Sequence, residues 1–124
     1  MSVLLFKEES YRIIGVCMKI HKTLGMGLKE INYKDAMEID FIEEGISYER
    51  EKRFTVKYKE RILRNPYLAD FVVFDSIIIE VKSASSIIDN HSAQALSYLS
   101  VSGMKLALII NFGERSLTSK RVVL

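Results

Sequence analysis

Apolar residues recur along this chain at two different periods. From about Glu8 to Leu24, the residues Ile13, Val16, Cys17, Ile20 and Leu24 fall three or four apart, which predicts an amphipathic helix. The stretch "LGMG", Leu24 to Gly27, ends it, because glycine favours helix ends and tight turns. A second helix is predicted from about Leu28 to Glu44, with Gly45 as its stop and Tyr33, Met37 and Phe41 as its apolar stripe. Glu30 falls on that same stripe, where an acid is out of place.

Beyond Gly45 the period becomes two. In "SYEREKRFTVKYKERILRN", Phe54, Val56 and Tyr58 alternate with Thr55, Lys57 and Lys59, predicting a half-exposed strand that turns near Lys59–Arg61 into a second. "YLADFVVFD" (Tyr67 to Asp75) and "SIIIEVKS" (Ser76 to Ser83) are more continuously apolar, as central strands are, with Asp75 and Ser76 as a tight connection. Asp89 or Asn90 is the expected cap of a third helix reaching about Val101 and closed by Gly103. "KLALIINF" (Lys105 to Phe112) reads as a buried strand and "KRVVL" (Lys120 to Leu124) as a short terminal one. A helix between two buried strands requires a crossover, so the expected sheet is mixed, with helices packed on it.

Composition narrows the class. The chain has 124 residues, 48% apolar and 27% charged, with a net charge of +2, which fits one compact globular domain over residues 1–124. Global charge gives little case for nucleic acid; a local basic face is needed. The one cysteine, Cys17, cannot form an internal disulfide, and a cytoplasmic setting is the expectation. The start "MSVLLFKEES" has an apolar run of four residues, short for a signal peptide, and no stretch is long and apolar enough to suggest a membrane span.

Three charges interrupt the predicted core. Residues two apart on a strand share a face, so Glu80 and Lys82 share one and Ile79 and Val81 the other. Pairing about the Asp75–Ser76 turn sets Asp70 opposite roughly position 81, beside Glu80 or Lys82 within one residue of register. Unpartnered, such charges cost several kcal/mol each to bury. One explanation is a structural Lys82–Glu80 or Lys82–Asp70 ion pair. The other is a divalent-metal site, in which two carboxylates supply hard oxygen ligands for Mg²⁺ or Mn²⁺. Lys82 would then orient the attacking water and stabilise charge on a phosphoryl group. Glu30 would add a third carboxylate, and Gln94, on the helix that follows, a polar contact.

These segments together resemble the PD-(D/E)XK nuclease superfamily, and in particular a small bacterial group called GxxExxY proteins. The naming motif stands as "GLKEINY", with Gly27, Glu30 and Tyr33; "HKTLGMG", "ADFVV", "IEVKS", "HSAQALSYL" and "LIINFG" match in order around it. The resemblance runs from about Ser10 to Leu124. It implies an α/β, restriction-endonuclease-like αβββαβ core, a mixed central sheet flanked by helices with an extra N-terminal helix. It implies metal held by Asp70, Glu80 and Glu30, with Lys82 as the catalytic lysine. Ala69 stands where the superfamily's eponymous proline would, and Glu60 where a glycine is expected in the hairpin.

The expected function is metal-dependent phosphodiester hydrolysis in DNA or RNA; the alternative is a catalytically silent nucleic-acid- or protein-binding module on the same fold. Seven cations between Arg50 and Arg64, among them Arg50, Lys52, Arg53, Lys57 and Lys59, make either a strip for a phosphate backbone or a protected sheet edge. His91, Gln94 and Tyr98 share a face of the third helix and either reach the site or satisfy backbone groups. His21 reads mainly as packing or a helix end, and Tyr33 and Cys17 as core. A homodimer is a reasonable expectation for so small a domain of this kind.

Overall fold

The computed structural model describes residues 4–124, so Met1 to Val3 of the short apolar start lie outside the described residues. Two helices open the chain, α1 (Lys7–Leu24) and α2 (Glu30–Glu43). Ile13, Val16, Cys17 and Ile20 of α1 are buried, as are Tyr33, Met37 and Phe41 of α2, so both stripes become core faces. Tyr33 also ties the link between them. Its hydroxyl donates to the Gly25 carbonyl at 2.6 Å and accepts the Leu28 N–H at 3.2 Å, while its ring stacks on Phe112. Glu30 departs from expectation: it is exposed. The stripe runs past the end of the core there, so the acid at the first position of α2 opens to solvent.

The strands are β1 (Tyr48–Phe54), β2 (Lys57–Tyr58), β3 (Arg61–Ile62), β4 (Tyr67–Val73) and β5 (Ile77–Lys82). After them come α3 (Asp89–Ser102), β6 (Leu106–Asn111) and β7 (Thr118–Val123). One five-stranded sheet has the order β1-β4-β5-β6-β7; β5 and β6 are parallel, joined through α3, and the other neighbours are antiparallel. The half-exposed strand lies earlier than its alternation predicted. Phe54, paired with Tyr67, is the last β1 residue in the ladder, and it still packs against the core. Residues 57–65 are exposed, so the chain there can pair only with itself, as the separate β2–β3 hairpin. Its turn residues Lys59 and Glu60 are both left-handed, at φ 49° and 65°, without a glycine.

Two apolar layers sandwich the sheet. Phe71, Val73, Ile77, Ile79, Val81, Leu108 and Ile110 face α1 and α2. Val72, Ile78, Ala107 and Ile109 face Ala95 and Leu99 of α3. Burial on both faces is why β5 and β6 read as continuous apolar runs. Asp89 begins α3 instead of capping it; Ile88 is the N-cap, and His91 Nδ1 accepts the Ile88 N–H at 3.2 Å. Gly103, at φ 76°, closes that helix as predicted. Among the described residues, no helix is long and apolar enough to cross a membrane.

Candidate active site

The β4–β5 hairpin pairs Phe71 with Ile79, Val72 with Ile78 and Val73 with Ile77. Continued by one step, this register sets Asp70 opposite Glu80, one residue from the position 81 that the turn suggested. Backbone pairing stops there and side chains take over. The Asp70 N–H donates to Glu80 Oε2 at 3.0 Å, and the Val81 N–H donates to Asp70 Oδ2 at 2.7 Å. Each carboxylate thus caps an amide of the opposite strand, which removes the cost of an unpaired buried N–H.

Glu80 is 7% exposed. Its carboxyl is pushed up to about 7, first by burial and then by the charge of Asp70; the Asp70 amide, Lys82 and Lys34 act against the shift without cancelling it. Two carboxylates meeting with incomplete compensation form a site that gains from an added cation.

Glu30, Asp70, Glu80, Lys82 and Gln94 line one cleft of about 390 Å³, together with Tyr67, Ser97 and Tyr98. Five residues singled out from the sequence therefore come from α2, β4, β5 and α3 to a single space. Glu30 is also tied to the end of β5. Its Oε2 accepts the Ser83 N–H at 3.2 Å, while Ser83 Oγ donates to the Leu28 carbonyl at 2.9 Å, stapling the start of α2 to the end of β5. Neither ion pair offered as the alternative for Lys82 forms: it has no carboxylate within 4 Å among the described residues.

Lys34 takes that role instead. This α2 side chain is 9% exposed; its Nζ donates to Asp70 Oδ1 at 3.0 Å and also to Glu51 Oε1. Burial alone lowers its affinity for a proton, but its bonds to Glu51 and Asp70 outweigh that and hold it above the ordinary lysine value. The sequence reading missed Lys34 and Glu51. One signal was available: Lys34 lies one helical turn after the suspect Glu30, on the same face.

A hard divalent ion fits the donor set, though not as a prebuilt cage. Among the described residues, no cluster of three or more His, Cys, Asp or Glu side chains is arranged to hold a metal. Magnesium commonly takes one or two carboxylates and completes its shell with water and phosphate oxygens. Asp70 and Glu80 would supply that pair, and Glu30 lines the same cleft.

The remaining candidates divide. Tyr98 donates its hydroxyl to the Leu68 carbonyl at 2.9 Å and packs edge-on against Tyr67. Burial and the nearby charges of Glu80 and Asp70 push its phenol up to about 12, so it walls the cleft as a neutral group. His91 belongs to the start of α3, outside the cleft lining. His21 is buried, bonded through Nε2 to the Glu114 carbonyl at 2.8 Å, and stacks near Phe112. Cys17 is fully buried, and burial raises its thiol far above the reactive range. Asn111, unremarked in the sequence, is fully buried and bonds Ala84, Gly113 and Glu114, holding the chain that follows Lys82. A Cβ at Gly113 would lie 2.3 Å from the Ala84 carbonyl, so only glycine allows that approach.

The basic strip also divides. Arg50 pairs with Asp35 at 2.8 Å and Glu38 at 3.2 Å, and Lys52 with Glu49 at 2.8 Å. Arg53, Lys57, Lys59, Arg61 and Arg64 are exposed and have no ion pair among the described residues. The uncommitted charge sits on the outer end of β1 and on the hairpin, which leads through Pro66 into Tyr67 at the cleft.

Comparison with known proteins agrees with this architecture. The sequence model of the PD-(D/E)XK nuclease superfamily matches residues 7–122. No curated protein matches the chain significantly. The crystal structure of SSO0001 is similar in fold, with a TM-score of 0.58 at 15% identity over 73% of this chain. The match covers 47% of that protein, so this chain spans less than half its length.

Proposed function

The chain belongs to the PD-(D/E)XK nuclease superfamily and has its restriction-endonuclease-like fold, and from that premise we propose that it is a Mg²⁺- or Mn²⁺-dependent nuclease. The finer assignment, to the GxxExxY group, rests on Gly27, Glu30 and Tyr33 and on the joints that Glu30 and Tyr33 make. The observation that carries the reading is one cleft containing two abutting carboxylates and a lysine that has no ion-pair partner among the described residues.

In this reading Asp70 and Glu80 hold the ion, with Glu30 reaching it from the rim. Bound there, the ion supplies Lewis-acid polarisation of a phosphoryl oxygen and neutralises developing charge. Lys82 shares the Glu80 face of β5; its ammonium orients the attacking water and stabilises charge on the phosphoryl group. Gln94 offers an amide to that water or to a phosphate oxygen. Tyr67 and Tyr98 wall the cleft and restrict bulk water. Arg53, Lys57, Lys59, Arg61 and Arg64 hold the flanking backbone, whereas Arg50 and Lys52 are committed to carboxylates and contribute little.

The test is cleavage of single-stranded, duplex and branched DNA, and of RNA, with each metal. Wild-type protein is expected to cut at least one of them, and Lys82→Ala to lose at least about a hundredfold in rate, a magnitude typical of losing a preorganised charge. A wild type that cuts nothing, or a Lys82→Ala variant as fast as wild type, overturns the mechanism. The bonds from Lys34 and the Val81 amide to the two Asp70 oxygens favour a second reading, a silent binding module. It predicts salt-sensitive nucleic-acid binding that needs no metal and survives Asp70→Asn.

A further inference from the structure

Lys34 and Glu51 do no chemistry in the reading above, yet the buried Lys34 bonds its central carboxylate and Glu51 bonds Lys34. In the β1–β4 register Glu51 falls opposite Asp70, between the pairs Arg50–Phe71 and Lys52–Ala69. Glu51 is left-handed, at φ 55°, a conformation uncommon for residues other than glycine and disfavoured inside a strand. Sheet faces exchange around it. Tyr48 packs with the α1/α2 layer, while Phe54, an even number of residues along, packs with the α3 layer. The twist leaves the Glu51 carboxylate in contact with Lys34, whose ammonium it shares with Asp70.

We propose that Lys34 and Glu51 are positioning residues that set how strongly the Asp70–Glu80 pair takes up a divalent cation. This rests on the metal-site reading of the cleft. Lys34 is a resident cation on Asp70 Oδ1, and it opposes a second positive charge at that carboxylate. Glu51 is its counterweight, neutralising part of the ammonium and giving it a partner to keep when Asp70 turns toward another cation. The arrangement holds the Asp70 carboxylate in place without metal, at the cost of weaker metal affinity.

The two residues therefore act in opposite directions, which separates this role from a merely structural one. Removing the ammonium in Lys34→Met leaves the site more negative and tightens Mn²⁺ binding. Removing the counterweight in Glu51→Gln leaves the whole Lys34 charge on Asp70 and weakens it. A unit charge this close in a partly buried site corresponds to a change of about tenfold or more in each direction. Mn²⁺ affinity is measured by electron paramagnetic resonance and by calorimetry at pH 8, without nucleic acid, on wild type and both variants. Opposite shifts are the expected result.

Unchanged affinities in both variants, or weakening in both, overturn the proposal while leaving the metal site intact. Wild-type protein that binds no Mn²⁺ overturns the metal reading and this one with it. Should Lys34→Met fail to fold, Glu51→Gln decides alone, since its side chain is 46% exposed and its loss opens no core cavity. Weakened binding then supports the proposal, and unchanged or tightened binding overturns it.

Discussion

The two ends of the β4–β5 hairpin are built from the same backbone by opposite means. At the turn end, Val72, Val73, Ile77 and Ile78 are buried, and they stay in register through an intact ladder. Ser76 Oγ closes the turn on the Phe74 carbonyl at 2.9 Å, with Phe74 and Asp75 both left-handed. At the open end, carboxylates replace backbone partners, a lysine from α2 neutralises one of them, and Glu80 is held away from its ordinary proton affinity. Apolar contacts are non-directional and place nothing but the strands. Charges at the open end are directional and incompletely compensated, and that makes them usable for chemistry.

The largest expected effect is on rate. Lys82→Ala removes cleavage at the open end while leaving the unfolding free energy from urea titration within about 1 kcal/mol of wild type, as substitutions away from the packed core generally do. A large loss of stability in Lys82→Ala would erase the contrast between the two ends. Next comes Ile78→Ala at the turn end, which opens a cavity between β5 and α3. It is expected to cost about 2–5 kcal/mol in equilibrium denaturation while the folded fraction keeps its activity.

Third is the pH dependence of the metal-free protein. A carboxyl raised from 4.5 to about 7 in the fold takes up its proton more readily there than in the unfolded chain. Its contribution to stability is therefore complete below the unfolded value near 4.5 and is lost as pH rises through about 7. The loss is on the order of 3 kcal/mol, and Glu80→Gln, which cannot ionise, should flatten it. Urea titrations in chelator between pH 4.5 and 8 measure both curves. Parallel curves would mean that the open end is not the pH-sensitive one.

The smallest effects concern the hairpin beyond β1. Arg61→Ala should lower the slope of log affinity against log salt by about 0.9 for duplex DNA or about 0.7 for a single strand, the value of one phosphate contact. Arg50→Ala should leave the slope unchanged, because Asp35 and Glu38 already hold that guanidinium. Equal slopes in the two variants would remove the distinction between paired and free cations.

Much of this was legible in the chain itself. Helical spacing in Ile13–Ile20 and Tyr33–Phe41, and the apolar runs at Ile77–Val81 and Leu106–Ile110, fix which residues face a core. Those features depend on local period, and a period needs no knowledge of what lies opposite. The charges at Asp70, Glu80 and Lys82 were conspicuous because they interrupt it. Lys34 and Glu51 were not, since a lysine on a helix flank and a glutamate in a strand full of charges look like solvated surface. Only the packing of α2 over β1 and β4 buries the first against the second.

The turn near Lys59–Arg61 came out as read, but the change of partner did not show: alternation continues through Val56 and Tyr58, while pairing passes after Phe54 from β4 to the chain's own return at Arg61–Leu63. The basic strip likewise read as one feature, and ion pairs reaching back to α2 divide it. The sequence by itself determined the elements, the core faces and the carboxylate–lysine motif, all set by spacing of a few residues. Tertiary structure alone decided which charge meets which, because Coulomb and hydrogen-bond energies depend on ångströms between residues far apart in the chain.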